Sequence, residues 1–300
     1  GRRGLEGMFR FCDLVIERGL RLSFKIHMRT ENMLRLSVPD LDKMKGAGID
    51  VIGCGIESGN ADELAFIRKI ASKEMSLQAY RQVEEYGAIC VILGYLMLSP
   101  TSTKETLGEK VEFLRDLNRG WDFLILTNRL LVFWGTVMHR ELVALGLIED
   151  GAVQPGYVDY RFADHRVAEV DFAISQVKHQ RPEFMTLNNL MFDAINLESR
   201  ILNPVNIEYR DMIGGRFEAF RRSLADHRGR LTETYCDGML GLVDDPTNPF
   251  LPNFDGQAEH AALQSEIASC LEPLAALPEP PTTLYLHTWM SVVNKFSVKI

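Results

Sequence analysis

The stretch VIGCGIESGN, residues 51–60, decides how the fold of this chain is interpreted. Within it apolar side chains alternate with small or charged residues: Ile52, Cys54 and Ile56 alternate with Gly53, Gly55 and Glu57. This period of two predicts a β-strand with one apolar face and one face of bare backbone that ends in a carboxylate. Bare backbone allows a ligand to come close.

A helix is predicted directly after this strand. Asn60 is a good N-cap for a helix that begins at Ala61, and Glu63 stands at the reciprocal capping position. Glu57 therefore lies where a strand passes into a helix, and in α/β folds such junctions carry binding sites. The alternative is a glycine-containing core strand and a well-capped helix without a site.

The composition is ordinary for a globular chain. The 300 residues are 46% hydrophobic and 25% charged, which allows a sizeable core in one large domain or a domain with an appendage. The net charge of −8 gives no electrostatic reason to expect nucleic acid or an anionic membrane as a partner. No apolar run approaches the roughly 20 residues of a membrane span. The N-terminal GRR is neither an initiator Met nor a secretory signal, so we expect a chain cut from something longer.

The five cysteines are scattered and form no CxxC pair; they are Cys12, Cys54, Cys90, Cys236 and Cys270. This spacing argues against a disulfide framework or a zinc site and predicts a reducing, cytoplasmic setting. We expect most of them to be core thiols. The histidines also lack metal-ligand spacing, so we assign no metal ligand in this chain.

Apolar strand-like segments and helical segments alternate through the first half. The pattern predicts strands near residues 20–28, 50–57, 89–97 and 122–128, with a helix at 4–18 before the first of them. Helical segments between short apolar strands predict right-handed βαβ crossovers and a parallel sheet. A parallel sheet that begins with a helix indicates that its first strands are missing.

The pattern changes near residue 150. Gly151, Pro155 and Gly156 indicate a loop, and the residues that follow are mainly helical, with Pro182 expected to interrupt a helix. We therefore divide the chain into residues 1–150 and a mainly α-helical region, 151–300. The second region carries no motif that indicates an activity.

Residues 20–146 resemble radical S-adenosylmethionine enzymes, particularly the branch in which a cobalamin-binding domain often precedes the barrel. The resemblance rests on several motifs in the right order. They are Arg29 closing a strand, Leu41 to Gly48 as LxxxxxAG, residues 53–60 as GxGxESG, Ile67 to Lys69 as IxK, Gly87 to Met97 as the fifth strand, Thr103 to Thr106 as TxET, and Gly135-Thr136 as the end of PGT.

The resemblance implies a partial (β/α)6, TIM-like barrel in which the four predicted strands are the third to the sixth. It implies that S-adenosylmethionine lies across the carboxyl ends of the strands. Glu57, with Ser58, would contact its ribose or amino group, and Lys69 would stand near its methionyl carboxylate. Gly53 and Gly55 would keep the barrel wall low under the ligand. The cofactor-binding candidates are thus Arg29, Gly53, Gly55, Glu57, Ser58 and Lys69.

The chain also departs from the family pattern. The family's CxxxCxxC loop, whose thiolates hold a [4Fe–4S] cluster, is absent, and we expect it upstream of residue 1 together with two strands. A cobalamin domain would also lie upstream. Ser99 replaces a usual glycine, and Trp134 replaces the proline usual before Gly135. Both changes can reshape the cofactor or substrate pocket.

Three functions stay open. In the first, the parent enzyme cleaves S-adenosylmethionine with electrons from a reductant protein and acts on an unactivated carbon of a small molecule or peptide. It would use the 5′-deoxyadenosyl radical or a methyl group passed by cobalamin, and this chain alone would be inactive. In the second, a barrel without a cluster serves as a ligand-binding or scaffold module. In the third, an unrelated TIM-barrel enzyme binds a phosphate with these glycines.

Overall fold

A three-stranded parallel sheet is the centre of the fold in the computed structural model, which describes residues 2–149 and 156–275. Its strands are β1 (Phe24–Met28), β2 (Ile49–Glu57) and β3 (Cys90–Tyr95), and they are adjacent in that order. Both neighbouring pairs are parallel. The prediction of parallel strands in chain order is therefore confirmed for the first three strands.

Helices connect and cover these strands. In the first half they are α1 (Arg2–Glu17), α2 (Thr30–Met33), α3 (Val38–Gly46), α4 (Ala61–Phe66), α5 (Lys73–Tyr86), α6 (Lys104–Asp116), α7 (Phe123–Leu126) and α8 (Val137–Ala144). A short antiparallel pair consists of β4 (Val132–Phe133) and β5 (Tyr157–Val158). The second half contributes α9 (His165–Gln180), α10 (Glu183–Ile201), a 3-10 turn (Pro204–Asn206), α11 (Ile207–Ile213), α12 (Gly215–Asp244) and α13 (Gly256–Ala275).

Local sequence signals set several helix ends. Ser37 opens α3 through a capping box with Asp40, and the Asn60 side chain caps α4. Gly87 ends α5 in the left-handed conformation, with a φ of 72°. Pro182 separates α9 from α10, as the sequence predicts. These ends determine where the chain turns back onto the sheet.

The prediction of a fourth strand at residues 122–128 is wrong. This segment forms α7, because the Asp122 side chain accepts a hydrogen bond from the backbone nitrogen of Ile125 at 3.3 Å and caps a helical turn. A short apolar run does not by itself distinguish a buried strand from a buried helix. Beyond β3, the parallel pairing within residues 2–149 and 156–275 continues only as one bridge between Leu98 and Arg129. The expected four-strand portion of a barrel is therefore not confirmed.

One hydrophobic core includes residues from both halves of the chain. At the amino end of β2, the Lys45 ammonium donates hydrogen bonds to Asp50 at 2.7 Å and to the Ser199 carbonyl of α10 at 2.6 Å. Burial lowers the pKa of Lys45, and Asp50 partly opposes this shift. These contacts attach α10 to the sheet. The predicted boundary loop lies mostly outside the described residues, at 150–155.

No helix in the described part of the chain has both the length and the apolar character that crossing a membrane requires.

Candidate functional site

The parallel sheet has one buried face and one more open face. Ile52 and Ile56 of β2 are fully buried in the core, as their alternation predicts. The opposite face, which we call the glycine face, is formed by Gly53, Gly55 and Gly94 of β2 and β3. Gly55 is partly exposed and Gly94 is exposed. Since Gly55 and Gly94 pair in register, the two strands expose bare backbone side by side.

Two side chains lie over this backbone. A Cβ atom at Gly53 would be 2.6 Å from Nδ1 of His27, and a Cβ atom at Gly55 would overlap a carboxylate oxygen of Glu57. The two glycines thus leave space above the strand backbone, and the side chains of His27 and Glu57 occupy that space. A ligand on this face would therefore meet an imidazole and a carboxylate as well as backbone.

Glu57 forms an ion pair with Lys69. The Lys69 ammonium lies 3.5 Å from Oε1 of Glu57, and the two side chains are 18% and 29% exposed. Lys69 reaches this position because the chain reverses at Arg68, which has a φ of 57°, and because the backbone nitrogen of Lys69 donates to the Leu64 carbonyl at 2.8 Å. The structure thus brings together two of the candidate residues, whose cofactor roles stay predictions.

The backbone of Glu57 adopts an uncommon conformation. Its φ is 73°, in the left-handed region, and the pairing of β2 with β3 shifts register between Gly55 and Glu57. The Leu96 nitrogen donates to the Glu57 carbonyl at 2.7 Å and holds this bulge against β3. For a residue other than glycine this region costs roughly 1–2 kcal/mol. Such costs are concentrated at functional sites.

Arg29 directly follows β1, the strand next to β2, and stands at the N-cap position of α2. Its side chain is 63% exposed and forms an ion pair with Glu31 at 3.3 Å. The following residue, Thr30, donates to the Gly55 carbonyl at 3.2 Å and fixes this segment beside β2. Arg29 is therefore accessible at the same end of the sheet as Glu57, although its partner is Glu31.

Ser58 does not face the glycine face. Its side chain is 1% exposed, and its hydroxyl donates to Oε2 of Glu63 at 3.0 Å. The role of Ser58 in contacting the cofactor stays a prediction, and the structure places its hydroxyl in the interior, away from the glycine face. Within this motif Ser58 turns toward the interior, while the Glu57 side chain stays partly exposed.

Glu63 also differs from its predicted capping role. Asn60 does accept a hydrogen bond from the Glu63 nitrogen at 3.0 Å, but the Glu63 carboxylate does not return to Asn60. It accepts hydrogen bonds from Ser99, at 2.9 Å, and from Ser102, and it forms an ion pair with Lys110. We call Glu63, Lys110, Ser58, Ser99 and Ser102 the buried Glu63 cluster.

Sequence reasoning missed this cluster. The Lys110 side chain is fully buried, and burial lowers its pKa while Glu63 partly opposes the shift. One signal was present, because Lys110 interrupts the apolar stripe that α6 presents through Leu107, Val111 and Leu114. A lysine on the buried face of a helix requires a partner of opposite charge.

The second half of the chain reaches the same end of the sheet. The Arg129 guanidinium lies 4.3 Å from the ring centroid of Tyr160 and 3.4 Å from Asp171 of α9. On the same helix, the Lys178 ammonium donates to the Thr127 carbonyl at 2.9 Å. Helix α9 thus contacts the segment that pairs beyond β3 and borders the carboxyl ends of the strands.

The cysteines are core thiols. All five are buried and free, which confirms the prediction. Burial raises the pKa of the Cys54 thiol and raises that of Cys90 to about 11. Residues 2–149 and 156–275 contain no group of three His, Cys, Asp or Glu side chains placed to hold a metal ion. A buried and scattered donor set of this kind does not fit a [4Fe–4S] cluster.

Solved structures with a similar fold belong to the class of cobalamin-dependent S-adenosylmethionine radical enzymes. The enzyme is OxsB, solved with aqua-cobalamin (TM-score 0.53), with aqua-cobalamin and S-adenosylmethionine (0.54), and as the apo protein (0.52). Sequence identity is 14% in each case. The match covers 97% of this chain but only 46%, 46% and 44% of the three OxsB chains. This chain therefore spans less than half the length of OxsB and shares its fold over that part.

Neither a family model nor a curated protein matches this sequence.

Proposed function

We propose that this chain is part of a radical S-adenosylmethionine enzyme and binds S-adenosylmethionine at the carboxyl ends of β1, β2 and β3. The observation that carries the proposal is the convergence of Glu57 and Lys69 over the glycine face. The fold shared with OxsB supports it, since one OxsB structure holds S-adenosylmethionine and cobalamin. The order of the sequence motifs supports it independently.

The charges of this pair suit the polar groups of S-adenosylmethionine. The Glu57 carboxylate would accept hydrogen bonds from the ribose or the amino group, and the Lys69 ammonium would pair with the methionyl carboxylate. An ion pair at the surface contributes at most about 1 kcal/mol. Hydrogen bonds to charged groups contribute about 1.5–3 kcal/mol each. Hydrogen bonds to the ligand can therefore compensate for separation of the Glu57–Lys69 ion pair.

The other cofactors require residues outside these 300. Since the cysteines present do not fit a [4Fe–4S] cluster, we propose that its ligands, like the cobalamin site, belong to a further part of the protein. The cluster supplies the electron for cleavage of S-adenosylmethionine when it is bound. The residues of this chain bind and orient the cofactor. The parent enzyme would act on an unactivated carbon of a small molecule or peptide and would need a reductant protein.

A ligand-binding or scaffold module without a cluster is the second candidate, and the buried cysteines favour it. The two functions differ in the flanking coding sequence and in chemistry. Three closely spaced cysteines there, with reductive formation of 5′-deoxyadenosine by the complete protein, would support the radical enzyme. The module would bind its ligand without cleaving it.

The decisive experiment is a titration of the complete protein with S-adenosylmethionine, comparing the wild type with Glu57→Gln. Glutamine keeps the size of the side chain and removes its charge. We expect affinity to weaken about ten-fold or more, where each factor of ten corresponds to about 1.4 kcal/mol. Glu85→Gln, which changes an exposed carboxylate on α5, is the control and should bind as the wild type does. Unchanged affinity in Glu57→Gln would refute the role of Glu57, and a wild type that does not bind would refute the proposed function.

A further inference from the structure

The buried Glu63 cluster stands directly behind Glu57, and the contacts proposed for S-adenosylmethionine do not use it. Ser58 follows Glu57 in the chain. Its hydroxyl donates to Glu63 at 3.0 Å and accepts from the Asn60 nitrogen at 3.1 Å. The loop at residues 58–60 is therefore tied to Glu63 by the residue next to the exposed carboxylate.

A second set of contacts ties the same loop to α6. The Gly59 nitrogen donates to the Tyr95 hydroxyl at 3.2 Å, and this hydroxyl donates to the Lys110 carbonyl at 2.9 Å. A Cβ atom at Gly59 would lie 2.6 Å from Cγ of Phe113, so the loop backbone packs tightly against α6. Lys110 is thus linked to the loop in two ways. Its side chain is linked through Glu63, and its backbone carbonyl is linked through Tyr95.

The cost of this arrangement indicates that it serves geometry more than stability. Two charges are removed from water, and apolar residues of similar volume often replace a buried ion pair without loss of stability. Satisfied buried polar networks fix one arrangement of their members. The backbone of Glu57 requires such support, because at a φ of 73° it lies in the unfavourable left-handed region.

We infer that the buried Glu63 cluster is a positioning device: it holds the loop at residues 58–60 and thereby keeps the Glu57 carboxylate over Gly55, where it receives S-adenosylmethionine. This inference rests on the proposed function. The members of the cluster are positioning residues, because they lie in the interior and act through Glu57.

The chain contains a matched control at the other end of β2. Lys45 and Asp50 form a second buried ion pair, with side chains 4% and 2% exposed. The Ser199 hydroxyl completes it by donating to the Asp50 carbonyl at 2.7 Å. This pair resembles the Glu63–Lys110 pair in charge and burial. It lies at the amino end of β2, however, whereas Glu57 lies at the carboxyl end.

The test replaces each ion pair by neutral residues of similar shape in the complete protein. In Glu63→Gln with Lys110→Met, the amide oxygen can still accept from Ser99 and Ser102, the amide nitrogen replaces the oxygen that accepts from Ser58, and no charge is left unpaired. Lys45→Met with Asp50→Asn is the control. We expect S-adenosylmethionine to bind about ten-fold more weakly to the first double variant, by analogy with the loss of residues that support metal ligands. The control should keep wild-type affinity, whatever the two changes do to the melting temperature.

A double-mutant cycle separates positioning from a general structural effect. In a Glu57→Gln background the Glu63 and Lys110 substitutions should weaken binding no further, because they act through the carboxylate already removed. Ser58→Ala, with Ser199→Ala as its control, gives the same comparison if the double variant does not fold. Additive losses, or equal affinity in wild type and cluster variants, would overturn this inference alone. A wild type that does not bind S-adenosylmethionine would overturn the proposed function, and this inference with it.

Discussion

The Lys69 ammonium and the Glu57 carboxylate lie 3.5 Å apart above the backbone of Gly55. A Cβ atom at Gly55 would be 3.5 Å from the ammonium and would overlap the carboxylate. On the neighbouring strand, a Cβ atom at Gly94 would lie 3.9 Å from the other carboxylate oxygen and 3.3 Å from Cα of Gly55. The ion pair and the two glycines therefore form one unit: because Gly55 and Gly94 have no side chains, the two charged groups can lie directly above the strand backbone.

Gly55→Ala should weaken S-adenosylmethionine binding without unfolding the protein. The added methyl displaces the end of the flexible Glu57 side chain, which costs little stability but moves the carboxylate. We expect a loss of about ten-fold, comparable to that of Glu57→Gln, in a calorimetric titration. Gly108→Ala, in open space on α6, is the control and should raise stability by up to about 1 kcal/mol with unchanged affinity. Wild-type affinity in Gly55→Ala would contradict the unit described above.

Replacing Glu57 should reveal the strain in its backbone. At a φ of 73°, Glu57→Gly removes the steric cost of a Cβ atom, whereas Glu57→Ala retains it. We therefore expect the glycine variant to exceed the alanine variant in unfolding free energy by about 1 kcal/mol, the reverse of the usual order in a strand. Denaturant unfolding measures this difference. An alanine variant as stable as the glycine variant would show that Glu57 is not strained.

The elements that local patterns specify could be predicted from the sequence. Strands β1 to β3 follow from alternation or continuous apolar runs, and the Pro182 break follows from the missing backbone donor. The segment that became α7 shows where such patterns fail. Its apolar run suits a strand or a helix equally, and the capping carboxylate of Asp122 determines the outcome.

The candidate site was likewise predictable from the sequence only in part. The motif resemblance selected Glu57 and Lys69, which the structure places side by side. It gave no indication that Glu63 would turn from a capping position into the interior. That orientation depends on Ser99 and Lys110, which are far away in sequence and approach only when α6 packs against the loops after β2 and β3. Contacts between residues far apart in sequence cannot be predicted from local periodicity.

This 300-residue chain alone should not hold a [4Fe–4S] cluster. Thiolates bind iron, and burial raises the pKa of the Cys90 thiol to about 11 and that of the Cys236 thiol to about 12. After anaerobic reconstitution with iron and sulfide, we expect no stable cluster absorbance and no cleavage of S-adenosylmethionine. The complete protein, treated identically, is the comparison. A stable cluster with turnover in the isolated chain would show that its scattered cysteines have been misinterpreted.

The contact between α12 and α13 should make stability depend on pH. His227 is 4% exposed, and its Nδ1 lies 2.6 Å from Glu259 while its Nε2 lies 3.2 Å from Glu266. The Arg230 guanidinium forms an ion pair with Glu259 and also lies 2.9 Å from Nδ1 of His227. The hydrogen bond with Glu259 is the main reason why the pKa of His227 is raised, with burial opposing it.

A raised pKa in the folded state means that folding favours the protonated imidazole. The resulting stabilisation is complete below the unfolded pKa of His227, about 6.5, and is lost as the pH rises through the raised folded value. We expect His227→Gln to lose about 1.5–3 kcal/mol at the acidic end of this range, the contribution of hydrogen bonds to charged groups, and less at the alkaline end. His260→Gln, on α13, is a control of opposite sign, because burial lowers the pKa of His260 and so makes its protonation on acidification destabilising. Denaturant unfolding between about pH 5 and 9 measures both slopes, since the His260 slope lies below the unfolded pKa of about 6.5 and the His227 slope lies above it. An identical pH dependence in the wild type and His227→Gln would show that this histidine is not protonated between its two glutamates.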